Sequence, residues 1–153
     1  MIKTVKLLGI FYAIGSFMVG CSTSSRSIEE NNNLPSQNEI QGYKIISGLN
    51  KDSVSIEVDK DDKIAVVLKD ITTTSYNYLE PRFSGSMVKF DGKNKCCMPK
   101  GVALGNSGNV VYKFSFIGEG KTTITIVARQ KSESPTAKSL ENDKTFTINV
   151  DID

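Results

Sequence analysis

The residues able to do chemistry in this sequence are few and unevenly placed. None of its 153 residues is histidine. That removes a Ser-His-Asp triad, a Cys-His pair and any histidine-ligated metal site on this chain. Asp59, Asp61 and Asp62 crowd together, but no D-x-D-x-D-G pattern with a distal glutamate follows them, so a calcium loop is not expected. Asp59-Lys60-Asp61-Asp62-Lys63 reads instead as a charged, solvated hairpin turn. Three cysteines are present, two of them adjacent. Cys96 and Cys97 cannot staple distant strands, and two neighbouring thiols with no further ligand make no metal site. They either close a vicinal disulfide or stay reduced. The preferred reading is a strand end with one thiol inward and one outward.

What remains is hydroxyls, main-chain groups and glycines in three short segments. Asp70 to Tyr78 carries three consecutive threonines, which favour an extended backbone, and ends in two tyrosines, so Thr72, Thr73, Thr74, Ser75 and Tyr76 could offer hydroxyls, backbone and rigid aromatic area. Gly105-Asn106-Ser107-Gly108 permits close backbone approach. Arg129-Gln130-Lys131 runs out of an alternating segment into Ser132, Glu133, Ser134 and Pro135. Taken singly, each also matches an ordinary solvated edge, plain turn or surface loop. Their chemistry suits binding, not catalysis; no enzyme and no cofactor is expected.

The elements that must hold these segments are strands. From Tyr43 onward apolar and polar residues alternate over short runs. Tyr43–Ile46 makes a short first strand. Val54, Ile56 and Val58 share a face of 53–58, and 63–68 is more continuously apolar. Further strands are expected at 86–90, 109–116, 121–130 and 145–151. Turn signals separate them at 59–62, Asp91-Gly92, 105–108 and 118–120. No segment after residue 42 has a helical period. About seven strands in some 110 residues has the rhythm of an all-β immunoglobulin-like β-sandwich, with a barrel as the alternative.

The N-terminus has a different character. Lys3 and Lys6 precede an apolar stretch from Leu7 to Val19, which reads as a secretory signal over 1–20. Phe17-Met18-Val19-Gly20-Cys21 resembles the bacterial lipobox. That resemblance implies lipid on Cys21, palmitate among its acyl groups, cleavage before it, and a domain held at the cell envelope outside the cytoplasm. Residues 21–42, rich in Ser, Asn, Glu and Gln, are expected to form a disordered tether, leaving 43–153 as the domain. The formal charge is +2; loss of Lys3 and Lys6 leaves 17 basic and 17 acidic residues. A neutral chain without a basic patch argues against a nucleic-acid partner.

Together the three segments resemble the chagasin family of cysteine-peptidase inhibitors. In ITTTSYNY, residues 71–78, Thr73 and Thr74 match the family's Thr-Thr and Tyr76 its Tyr, while Tyr78 stands at its Trp. Gly105 and Gly108 match the first and last glycines of its G-x-G-G, ahead of Tyr112-Lys113-Phe114. Gly120 to Arg129 matches its P-G-T-T-x-L-x-L strand up to the Arg. The family's Asn-Pro is replaced by Ile71-Thr72, its Gly by Ser75, and its Pro-Trp by Gln130-Lys131. The resemblance spans about residues 53–151. It implies a monomeric, reversible, tight-binding inhibitor whose three loops, at one end of the sandwich, enter the cleft of a papain-like cysteine peptidase. Thr73 and Thr74 would make the central contacts, Gly105 and Gly108 the close approach, and Arg129 an anchoring contact beside Gln130 and Lys131. The alternative is a surface-anchored immunoglobulin-like module binding a glycan or envelope protein, which an exposed aromatic patch away from the loops would favour.

Overall fold

A computed structural model describes residues 34–36, 38–97 and 108–153. Eight strands are present: β1 (Lys44–Ser47), β2 (Ser53–Val58), β3 (Lys63–Lys69), β4 (Tyr76–Tyr78), β5 (Val88–Cys96), β6 (Asn109–Phe116), β7 (Gly120–Gln130) and β8 (Lys144–Ile152). They form two four-stranded sheets, ordered β1-β3-β6-β5 and β2-β8-β7-β4. The architecture is the expected all-β, immunoglobulin-like sandwich. The core between the sheets is built from one face of each alternating strand: Ile64, Val66 and Leu68 of β3, Tyr112, Phe114 and Phe116 of β6, Ile124 and Ile126 of β7, and Ile148 and Val150 of β8. Side chains two apart point the same way, so period-two sequence becomes a buried stripe.

The strand count differs from the expected seven because of β4. Its three residues are too few to show alternation, and it exists by pairing Tyr76, Asn77 and Tyr78 with Gln130, Arg129 and Ala128. Two expected turns have another character. Residues 59–62 do not close a hairpin: β2 and β3 belong to different sheets. The turn is pinned instead to its neighbours, Asp61 N–H donating to the Phe116 carbonyl and Phe116 N–H to the Asp62 carbonyl. Asp91-Gly92 lies inside β5, where the register against β6 shifts between Phe90 and Gly92. Gly92 sits at φ 125°, a backbone region that favours glycine, and so permits the bulge.

The boundary of the domain also moves. Residues 34–42 were expected in the tether, yet Ile40 is 3% exposed and joins Ala65, Val67 and Val111 in a second cluster, with Leu34, Tyr43, Ile45 and Cys96 packed against it. The segment covers the outer face of the β3/β6 pair. It turns tightly there: Ser36 N–H and hydroxyl both donate to the Glu39 carboxylate, and the Tyr43 hydroxyl donates to Asp91. Composition hid this because two apolar residues, Leu34 and Ile40, set apart among polar neighbours show no period yet suffice to seal a small patch. Replacing Ile40 with alanine is expected to lower stability by roughly 2–4 kcal/mol, as a buried aliphatic truncation does. Denaturant unfolding measures this, and a loss below about 0.5 kcal/mol, the scale of ordinary surface substitutions, would return the segment to the tether.

Candidate functional site

Strand directions decide which loops meet. β3 and β6 are antiparallel with Lys69 opposite Asn109, and β5 pairs Cys96 with Asn109. The end of β3, the end of β5 and the start of β6 therefore share one end of the sandwich. β4 begins opposite Gln130, where β7 ends, and β8 begins opposite Ala128. The connections 70–75 and 131–143 thus emerge together beside Cys97 and Gly108, joined by the 48–52 turn between β1 and β2. This end is the tip of the sandwich. Gly105, Asn106 and Ser107 lie outside the described residues; Gly108 is described.

The threonine-rich loop is held from below, from within and from the side. Asp70 is 4% exposed. Its N–H donates to the Gly108 carbonyl at 2.9 Å, and its carboxylate accepts the Thr72 N–H at 2.9 Å and meets Lys95 Nζ at 2.9 Å. Burial pushes this carboxyl up, but the hydrogen bonds from Lys95 and Thr72 outweigh it and hold Asp70 below the usual carboxylate range. Lys95 Nζ also donates to the Thr72 hydroxyl at 3.1 Å. Thr74 is exposed, but its hydroxyl is engaged within the loop: it donates to the Ile71 carbonyl at 2.7 Å and accepts the Tyr76 N–H at 3.1 Å. From the third loop, Lys131 Nζ donates to the carbonyls of Thr72 and Thr74 at 2.9 and 2.7 Å, and its N–H donates to the Ser75 carbonyl. Thr73 and Ser75 are exposed, and among the described residues their hydroxyls have no partner. They are what the loop presents.

Arg129 is the largest departure from expectation. It was expected as an anchoring contact to a partner, yet it is 2% exposed. Its Nε and Nη2 donate to the two Asp143 oxygens at 2.8 and 2.6 Å, and Nη1 donates to the carbonyls of Ser134, Pro135 and Ala137 at 2.9, 3.3 and 2.7 Å. The third loop is wrapped around this guanidinium, whose planar fork suits several acceptors at once. Arg129 shapes the tip, its guanidinium engaged within the third loop. Gly108 likewise is buried, and its carbonyl serves Asp70. Gln130 Nε2 donates to the Tyr76 hydroxyl at 3.3 Å, and Lys144 Nζ stands 4.6 Å from the Tyr76 ring centre.

Asp143 gives the loop a pH dependence. The hydrogen bonds from Arg129 hold its carboxyl at about 2, so the unfolded chain takes up this proton before the folded one does. The stabilisation is complete above the ordinary carboxylate value near 4 and is lost as pH falls toward 2. Melting temperature is expected to drop over that window, and less steeply when Asp143 is asparagine. Identical acid profiles for the two proteins would contradict the assignment.

Lys95, Asp143 and the 48–52 turn were not legible as parts of the site. Lys95 lies in a lysine-rich run with no distinguishing spacing, and Asp143 gains meaning only once residue 129 is known to be buried. Gly48 has a physical reason: a Cβ there would lie 2.5 Å from Leu68 Cδ2 and 2.7 Å from Phe146 Cζ, so a larger residue would have to displace the ends of both core side chains. Between this turn and the threonine-rich loop runs a groove of about 560 Å³, lined by Leu49, Ile71, Tyr76, Tyr78 and Phe146.

The adjacent cysteines also differ from the preferred reading: Cys96 and Cys97 are bonded to each other. Cys96 packs outward against the second cluster. Among the described residues no group of three or more Cys, Asp or Glu side chains could hold a metal ion.

Comparison with known proteins agrees with this arrangement at the level of fold. No family model matches the chain, and no curated protein matches it by sequence. Solved structures do. The cysteine protease inhibitor EhICP2 from Entamoeba histolytica superimposes with a TM-score of 0.53 at 15% identity, over 72% of this chain and 95% of that one. PbICP-C, solved in complex with falcipain-2, gives a TM-score of 0.51 at 12% identity, over 72% of this chain and 99% of that one. Both neighbours are named as inhibitors or solved with the protein they bind, and at these identities the likeness is one of fold.

Proposed function

We propose that this domain is a reversible, tight-binding inhibitor of papain-like cysteine peptidases, working by inserting its tip into the peptidase cleft. The observation that carries the reading is the meeting at one end of the threonine-rich loop, Gly108 and the Lys131 side of the third loop, the segments that resemble the chagasin family in sequence. The fold likeness to EhICP2 and to PbICP-C supports it. Inhibition here is steric. Thr73 and Ser75 offer hydroxyls over the catalytic cysteine, and no bond is cleaved. Lys95, Asp70 and Lys131 fix the loop before docking, so little conformational entropy is lost on binding. The described residues carry one large exposed apolar side chain, Ile117, in the turn at the opposite end. The aromatic patch that would favour a glycan-binding module is not among them.

The test is a fluorogenic-substrate titration against several papain-like peptidases, with a serine peptidase as control. Competitive inhibition of the former alone, with the protein emerging uncut, is expected. No inhibition of any of them at micromolar concentration would overturn the reading in favour of a surface-binding module.

Membrane attachment belongs to the same proposal. Cys21 lies outside the described residues, and the FMVGC run is its support. Mass spectrometry of the mature N-terminus is expected to find a lipidated Cys21 at position one, and a free thiol there or cleavage elsewhere would remove the anchor.

A further inference from the structure

The Cys96–Cys97 bond does nothing that structural disulfides do. It joins neighbours in sequence, so it closes no loop of chain and constrains the unfolded state hardly at all. It ties neither sheet to the other. What it does fix is the backbone where β5 ends, because the peptide bond between the two residues becomes part of a small covalent ring. Cys97 is held within that ring at φ 57°, a left-handed conformation that residues with a Cβ seldom adopt.

The surroundings of this ring are the contacts that clamp the threonine-rich loop. Lys95, next to Cys96 in the chain, holds the Asp70 carboxylate at 2.9 Å and the Thr72 hydroxyl at 3.1 Å. Asn109, the cross-strand partner of Cys96, follows Gly108, whose carbonyl accepts the Asp70 N–H. Both sulfur-bearing residues are half-buried, so a small thiol can reach the bond. The Cys96 side chain also packs against the second cluster, whose buried members are Ile40, Ala65, Val67 and Val111, an apolar contact that a thiol keeps as well as a disulfide does.

We propose that Cys96–Cys97 is a thiol–disulfide exchange site open to dithiol reductants, and that its two states clamp and release the threonine-rich loop. A thiolate of the dithiol attacks one sulfur, forming a mixed disulfide and releasing the other cysteine as thiolate. The second thiol of the reagent then displaces the first cysteine. Two electrons and two protons pass to the pair, and the reagent leaves as its disulfide. With the ring open, Cys97 relaxes to an ordinary φ, the end of β5 turns with it, and Lys95 loses its fixed position over Asp70 and Thr72. The sandwich itself stays folded. Control over inhibition rests on the inhibitor reading above; the exchange site does not.

The intact chain is prepared oxidised, reduced with dithiothreitol that is then removed, and as the variant Cys96→Ser/Cys97→Ser. Alkylation with iodoacetamide before and after reduction reports the bond, and amide hydrogen exchange of Thr72, Thr74 and Tyr76 reports the clamp. The oxidised sample is expected to resist alkylation, and the reduced sample to exchange these amides about fivefold faster or more, within the usual range of coupling between sites. The variant should match the reduced sample and ignore dithiol. Alkylation of both cysteines without reductant, or equal exchange in both states, would overturn the switch. A papain-like peptidase freed of its own reductant is then titrated with both states, the oxidised form being the stronger inhibitor. Equal inhibition by the two would overturn control over inhibition. Inhibition by neither would overturn the inhibitor reading instead, and the exchange rates alone would then decide the switch.

Discussion

Replacing Arg129 with leucine is expected to lower the melting temperature by about 10 °C or more, a large shift for a domain of this size. The side chain is buried, and it alone satisfies the Asp143 carboxylate from the β7 side together with the carbonyls of Ser134, Pro135 and Ala137. Leucine fills part of the volume but leaves the Asp143 carboxylate with only the Leu140 N–H and takes the guanidinium donor from the carbonyls of Ser134, Pro135 and Ala137. Unpaired buried groups cost more than a lost pair gains. The third loop should detach from the outer face of its sheet, carrying Lys131 away from the carbonyls of Thr72 and Thr74. Differential scanning calorimetry gives the shift, and the paired change Arg129→Leu/Asp143→Leu should recover part of it by removing the orphaned charge. A loss of only one or two degrees for the single change would mean that the loop does not depend on the guanidinium.

Replacing Thr73 and Thr74 together with alanine is expected to weaken peptidase inhibition by about thirtyfold or more, the scale of a central interface contact. The two residues act by different routes. Thr73 is exposed and its hydroxyl has no partner within the described residues, so Thr73→Ala removes a contact and leaves the melting temperature unchanged. Thr74 spends its hydroxyl on the Ile71 carbonyl and the Tyr76 N–H, so Thr74→Ala acts by loosening the loop. Thr74→Ser keeps that hydroxyl and should restore most of the inhibition. Inhibition constants for the singles, the double and the serine variant separate the routes. Unchanged inhibition in the double variant would remove the threonine-rich loop from the interface.

How far the sequence carries the fold can be seen strand by strand. Val54, Ile56 and Val58, or the alternation through β6, are legible because period two is imposed locally by the pleat. The alternation does not say which strand pairs with which. Residues 59–62 therefore resemble a hairpin although β2 and β3 belong to opposite sheets. β4 escapes because three residues carry no period, and Leu34 and Ile40 escape because two apolar side chains set apart make no pattern. In the site, the positions of the loops are legible and the roles within them are not. Arg129 was expected to face a partner because it stands where the chagasin family's strand ends in Arg. Its burial depends on Asp143 and on carbonyls of a loop whose path no local rule dictates. Thr73 and Thr74 were expected to make the central contacts together, and a turn that folds one hydroxyl back onto the loop and leaves its neighbour's free cannot be read from three identical letters.

Occlusion of a catalytic thiolate is most directly measured on the thiolate itself. A papain-like peptidase inhibited in titration is alkylated with iodoacetamide, with and without one equivalent of this protein, and the rate of loss of its active-site thiol is followed. The rate should fall at least about tenfold in the complex, because the tip fills the cleft and excludes the reagent, and the Thr73→Ala/Thr74→Ala variant should restore it at the same concentration. An unchanged alkylation rate in a complex that still blocks substrate would place the protein elsewhere on the peptidase and contradict entry of the tip into the cleft.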